Sequence, residues 1–152
     1  MNEPTIEAAA TLERVYQGIL TERMAGLPLV NPVLQVRAIG FRPWHEGLIG
    51  VLLTPWFMNL MQLPSRPDGL APGQQLSYRF PSGDYRFTVG EEPGIGLYLM
   101  CSLYSPVFQF QDQATAEAVA EQILVDLLRE PAPAGISRRQ LLQGRFREGN
   151  GA

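Results

Sequence analysis

Apolar positions recur in two periods along this chain, and the switches between the periods mark out its elements. From about Thr5 to Ala25, Leu12, Val15, Tyr16, Ile19 and Leu20 repeat at helical spacing, with Glu13, Arg14, Gln17, Glu22 and Arg23 on the other side. Gly26 and Pro28 follow, a glycine to cap the helix and a proline to stop it. After the Asn31-Pro32 turn the spacing becomes that of strands. Val33 to Ile39 predicts a first strand, and Phe41 to Gly47, with its proline and glycine, a hairpin connection. Gly47 to Thr54 is continuously apolar and predicts a strand buried on both faces. Pro55 interrupts it. Phe57 to Leu63 resumes as a strand or one helical turn, two readings that periodicity does not separate. A proline-rich loop from Pro64 to Gly73 comes next. Leu76 to Phe80, Tyr85 to Val89 and Leu97 to Tyr104 predict three more strands, with turns at Ser82-Gly83-Asp84 and Glu92-Pro93-Gly94.

The uncharged stretch from Ile95 to Phe110 organises the rest. As a strand it places Leu97, Leu99, Cys101 and Leu103 on one face and Tyr98, Met100, Ser102 and Tyr104 on the other. A strand apolar on both faces belongs at the centre of a sheet. It should stop near Ser105, because Pro106 has no N–H to donate. Asp112 to Arg129 predicts the second helix, capped by Asp112, with Ala116, Val119, Ala120, Ile123, Leu124, Leu127 and Leu128 along its apolar face. Pro131 and Pro133 forbid its continuation. The pattern is α+β: a single domain over residues 1–130, a mostly antiparallel sheet with N- and C-terminal helices packed on one of its faces. Residues 131–152 are expected to be a flexible basic tail.

Composition narrows the chemistry. The chain has 152 residues and a formal net charge of −3, a poor match for nucleic acid. Its twelve basic residues are all arginine, so lysine Schiff-base and phosphate-loop lysine chemistry are excluded. One cysteine, Cys101, and one histidine, His45, leave no disulfide framework and no multi-cysteine or multi-histidine metal site within one chain. The single cysteine fits a reducing compartment, and the acidic opening Met-Asn-Glu-Pro-Thr does not read as a secretory signal. The uncharged runs Gly47–Ser65 and Pro93–Gln111 are long enough to span a bilayer. Both are broken by proline and carry polar residues, so they read as buried strands, without stable membrane insertion.

Candidate sites are few. Cys101 beside Ser102 invites a nucleophile reading, with His45 as base, but a thiol in mid-strand on an apolar face reads first as packing. Asp84, Glu91 and Glu92 read as a solvated loop cluster. Thr54-Pro55-Trp56-Phe57 leaves a buried strand with two large rings. These rings read either as core or as a partner-binding patch, which Tyr104, Ser105 and Phe108 would extend. The segment 136–152 holds four arginines and one glutamate, net +3, against eight arginines and fourteen acids in residues 1–135, net −6. Its Arg138-Arg139-Gln140-Leu141-Leu142 looks like a twin-arginine export signal at the wrong end of the chain. It reads as a solvated tail or as a peptide imitating a client's signal, able to fill the client's cleft.

Taken together, three blocks resemble the HybE/HupJ-type [NiFe]-hydrogenase assembly chaperones. They are Leu53-Thr54-Pro55-Trp56, Phe80-Pro81-Ser82-Gly83-Asp84-Tyr85-Arg86-Phe87-Thr88-Val89-Gly90-Glu91, and Gly96 through Pro106. The resemblance implies a cytoplasmic accessory protein without catalytic residues or cofactors. Its expected partners are [NiFe]-hydrogenase precursor subunits, with the twin-arginine signal peptide of the small subunit as a candidate contact. The competing classes are a small enzyme using Cys101, a nickel or iron carrier, and a structural accessory subunit of the hydrogenase complex.

Overall fold

The computed structural model describes residues 3–129. Helix α1 (Glu3–Ile19) runs into a single π-helical turn (Leu20–Met24). Six strands follow: β1 (Arg37–Trp44), β2 (Gly47–Thr54), β3 (Phe57–Pro64), β4 (Gln75–Phe80), β5 (Gly83–Glu92) and β6 (Gly96–Tyr104). Helix α2 (Gln113–Leu128) ends the described chain. The predicted tail, with Arg138, Arg139, Leu141 and Leu142, lies outside the described residues.

All strands belong to one sheet, ordered β1-β2-β3-β6-β5-β4, with every neighbouring pair antiparallel. Tight turns join β1 to β2, β2 to β3, β4 to β5 and β5 to β6. β6 lies between β3 and β5, so the chain needs residues 65–74 to carry it from β3 to the far edge. The α+β expectation holds, and the stretch beginning at Ile95 supplies one of the two central strands. Phe57–Leu63 is a strand, as its pairing with β2 from Thr54↔Phe57 to Gly47↔Pro64 requires.

The helices cover opposite faces of the sheet rather than one. Ile49, Val51 and Leu53 of β2 point to the α2 side, where Ala116, Ala120, Leu124 and Leu127 pack on them. Leu48 and Leu52 of the same strand point to the α1 side, with Leu12, Tyr16, Phe41, Met61 and Tyr98. The cause lies in the central strands. β6 sends Leu99 and Cys101 to one face and Tyr98 and Met100 to the other, so neither face can be left to water. The alanines of α2 let its backbone settle close to the sheet, and every apolar position predicted for that helix joins this core.

The first strand begins later than predicted and runs through the expected hairpin, from Arg37 to Trp44. Residues 31–34 instead form a turn closed by Leu34 N–H donating to Asn31 O. A register shift between Ile39 and Arg42, with Gly40 at φ +67°, bulges the strand. Pro43 is tolerated because β1 is an edge. The sheet is curled strongly enough to bring its two edges together. Trp44 of β1 stacks on Phe80 of β4, ring centroids 4.7 Å apart and 10° from parallel.

Two predictions follow from this packing. A Cβ on Gly50 would come within 2.4 Å of the Phe41 ring that covers it. Gly50→Ala should cost about 1–3 kcal/mol, read as a lower urea midpoint at unchanged m-value. Asp112 caps α2 by accepting from Thr115 N–H at 2.7 Å, and that backbone hydrogen bond holds its carboxyl below the usual value. A lowered folded-state pKa contributes stability above the unfolded value and loses it as pH falls through the folded one. The stability gap between wild type and Asp112→Ala should be widest at neutral pH and narrow on acidification, by urea titration at each pH.

Candidate functional site

Thr54 closes the β2–β3 turn. Its buried Oγ1 accepts from Trp56 N–H at 3.2 Å and Phe57 N–H at 3.0 Å. This turn aims two rings off the α1 side of the sheet. Phe57 meets Tyr16 edge-on at 6.0 Å, and Trp56 meets Phe57 edge-on at 5.7 Å. Neither Trp56 nor Phe57 is fully covered. Between them, the end of α1 and the exposed half of β6 lies an open groove of about 450 Å³.

The groove is apolar with a few placed polar groups. Ile19 and Tyr16 form the helix side, Met61 the β3 floor, and Tyr98 and Met100 the β6 floor. Asn59, 5% exposed, donates from Nδ2 to Met100 Sδ at 3.5 Å. Burial, reinforced by a hydrogen bond with Tyr98, pushes the Tyr16 hydroxyl far above its ordinary pKa, so it stays neutral. Glu92 lines the groove, with Arg23 of the π-helical turn 3.3 Å away. The Glu92 side chain is 17% exposed, and that of Arg23 62%. Glu92 is therefore a mostly covered carboxylate at the end of β5 rather than part of a solvated loop cluster.

Of the residues singled out in the sequence, Trp56, Phe57 and Ser105 meet in this groove. Thr54 and Pro55 are buried and build the turn. Tyr104 belongs to the other face, edge-on to Phe110 at 5.2 Å. Phe108 is half exposed, outside the groove. Tyr16, Arg23, Asn59, Glu92, Tyr98 and Met100 were not anticipated as a site. The alternation of β6 did place Tyr98 and Met100 on one face, but not which face stays open.

A second feature adjoins the turn. Asn31, 6% exposed, donates from Nδ2 to Val107 O and Phe110 O, both at 3.0 Å, and its own N–H donates to Pro55 O at 2.8 Å. Side chain and backbone of Asn31 together tie its segment to the loop after β6 and to the β2–β3 turn. The tied segments carry Leu27, Leu29, Val33 and Phe108, each between 44% and 55% exposed.

The arrangement is built for contact. Cys101 points to the α2 side, away from the groove, and burial pushes its thiol up, against thiolate formation. Among the described residues no three His, Cys, Asp or Glu side chains cluster to hold a metal ion. No described helix is long and apolar enough to cross a membrane.

Such a groove, beside two partly covered rings, is suited to contact with another molecule. The chain belongs to the family described as [NiFe]-hydrogenase assembly, chaperone, HybE, whose model matches residues 7–144. It is 39% identical over 147 residues to the hydrogenase expression/formation protein HupJ of Bradyrhizobium diazoefficiens, covering 90% of this chain and 87% of that one. It is 42% identical over 137 residues to the hydrogenase expression/formation protein HupT of Azotobacter chroococcum, covering 87% and 91%. The solution structure of HybE from Escherichia coli superimposes with a TM-score of 0.65 at 25% identity, covering 93% of this chain and 91% of that one.

Replacing Asn31 by alanine removes both side-chain hydrogen bonds to the loop after β6, those to Val107 O and Phe110 O. Asn31→Ala should cost about 1–3 kcal/mol in urea unfolding and should raise hydrogen-exchange rates around Val107 and Phe110.

Proposed function

We propose that this protein grips an extended segment of a [NiFe]-hydrogenase precursor subunit in the cytoplasm, and that the groove beside Trp56 and Phe57 is where it does so. The observation that carries the reading is the pair of rings left half-covered above an apolar floor, with Glu92 among the lining groups. The twin-arginine signal of a small subunit fits these features. Its apolar stretch would lie on Met61, Tyr98 and Met100, and an arginine would meet Glu92. The net charge of −6 over residues 1–135 would draw such a cationic segment in, an effect that weakens with salt. The protein then acts by binding, without chemistry on its client.

The test is a titration of a hydrogenase small-subunit signal peptide against the full chain and against Trp56→Ala/Phe57→Ala. Rings buried in a contact are worth about 2 kcal/mol or more when truncated, so the double variant should bind at least ~10-fold more weakly. Cys101→Ala should bind normally and support hydrogenase maturation. Equal affinity of the Trp56/Phe57 variant and wild type would remove the groove from this role. Loss of maturation with Cys101→Ala would restore the enzyme reading.

A further inference from the structure

The curl of the sheet makes a second hollow, remote from the groove. It lies where Gly47 pairs with Pro64, the opposite end of β2 and β3 from the Thr54–Phe57 turn. Its volume is about 390 Å³, within the range of ligand pockets. Trp44, Leu48, Leu63, Leu70 and Tyr78 wall it. Gln62 also lines it, alternating with Leu60 toward the α2 side. Gln62 is 7% exposed, and its buried Nε2 has no hydrogen-bond partner. An amide donor buried without an acceptor costs about 1–3 kcal/mol, so its presence at the wall of a hollow points to an acceptor that enters from outside. The exposed rim carries Glu46 and Asp68 against Arg66, a slight excess of negative charge. The matching occupant is an apolar peptide segment with a free backbone carbonyl and adjacent positive charge.

The chain holds one such segment beyond the described fold, and it leaves from the right place. α2 ends beside the β4–β5 turn, where Ser82 Oγ donates to Leu127 O at 3.5 Å. Phe80, two residues before Ser82, stacks on Trp44 of the pocket wall, and Tyr78 is part of that wall. From Arg129 to Leu141 the backbone can reach about 40 Å, against a radius of gyration of about 14 Å for a domain of this size.

We propose that this hollow is a docking site for the chain's own segment Arg138-Arg139-Gln140-Leu141-Leu142. The leucine pair fills the space between Trp44 and Leu70. A backbone carbonyl of the segment accepts from Gln62 Nε2, and the arginines lie by Glu46 and Asp68. The tail therefore has a seat of its own, separate from the client groove.

The two tryptophans make this testable, since Trp44 walls the hollow and Trp56 the groove. In full-length Trp56→Phe protein the only tryptophan is Trp44. Adding Leu141→Asp and Leu142→Asp should shift its emission to the red, and a synthetic peptide of residues 136–147 should then shift it back. Gln62→Leu in that background should weaken the peptide by about 2- to 10-fold, the worth of one hydrogen bond, with the urea midpoint reporting that the fold is intact. In the reciprocal Trp44→Phe protein, Trp56 emission should not respond. A Trp44 signal indifferent to both the aspartates and the peptide overturns the proposal. So does a response from Trp56 instead, which would put the tail in the client groove, or full peptide affinity in Gln62→Leu, which would remove the hydrogen bond on which the proposal rests.

Discussion

The constraint on which this fold rests is that its central strands are apolar on both faces. β3 and β6 cannot be half-exposed, as strands of many antiparallel sheets are, because Leu60 and Leu99 oppose Met61 and Tyr98 across one backbone layer. Each fully buried side chain of this kind is worth about 1.5–3 kcal/mol, so leaving either face open would forfeit more than a small domain has in reserve. Two helices are therefore needed, one on each side, and the chain supplies them from its two ends.

The two covers are unequal, and the site follows from the inequality. α2 lies in the hollow of a curled sheet and buries its apolar face with close-fitting alanines. α1 sits on the outer face and ends at Ile19, and the groove opens beyond it, beside β3 and β6. The floor there is core material: Met61 and Tyr98 are buried, and Met100 is partly covered. Methionine is suited to such a floor because an unbranched, polarisable side chain adapts to whatever lies on it. The polar groups of this groove, Arg23 and Glu92 among them, stand at its lining beside the apolar floor.

Much of this could be read from residues alone, and the failures come from contacts between residues distant in the chain. Gly47–Thr54 reads as a strand because no polar residue interrupts it, and the structure gives it those bounds. α2 reads as a helix because its cap, Asp112, and its apolar face agree. β1 was misplaced because Val33 and Leu34 have strand-like composition, while Asn31 bonds to Val107 and Phe110, more than seventy residues away, and holds that segment in turns. Periodicity sees neighbours along the chain, not such contacts. The rings at 56 and 57 announce themselves after a buried strand, yet Tyr16, Arg23 and Glu92 do not. They meet only once α1 has crossed the sheet, and where the groove opens depends on where that helix stops. Tyr104 lies on the face opposite Trp56 and Phe57 for a related reason. The register shift between Met58 and Asn59 breaks the alternation at the end of β6.

The treatment of the sheet's edges bears on how a client can be held. β1 has a bulge at Gly40 and a proline at 43, so part of its outer backbone is kinked and one donor is missing. β4 has only six residues, and its last ring is held by Trp44 from the opposite edge. Neither margin offers a long, flat row of amides and carbonyls for a foreign strand to extend. The protein is thereby guarded against being stitched, by main-chain pairing, to other chains or to its own copies. What such margins leave for contact is side chains, which read sequence, rather than the peptide backbone, which every protein shares.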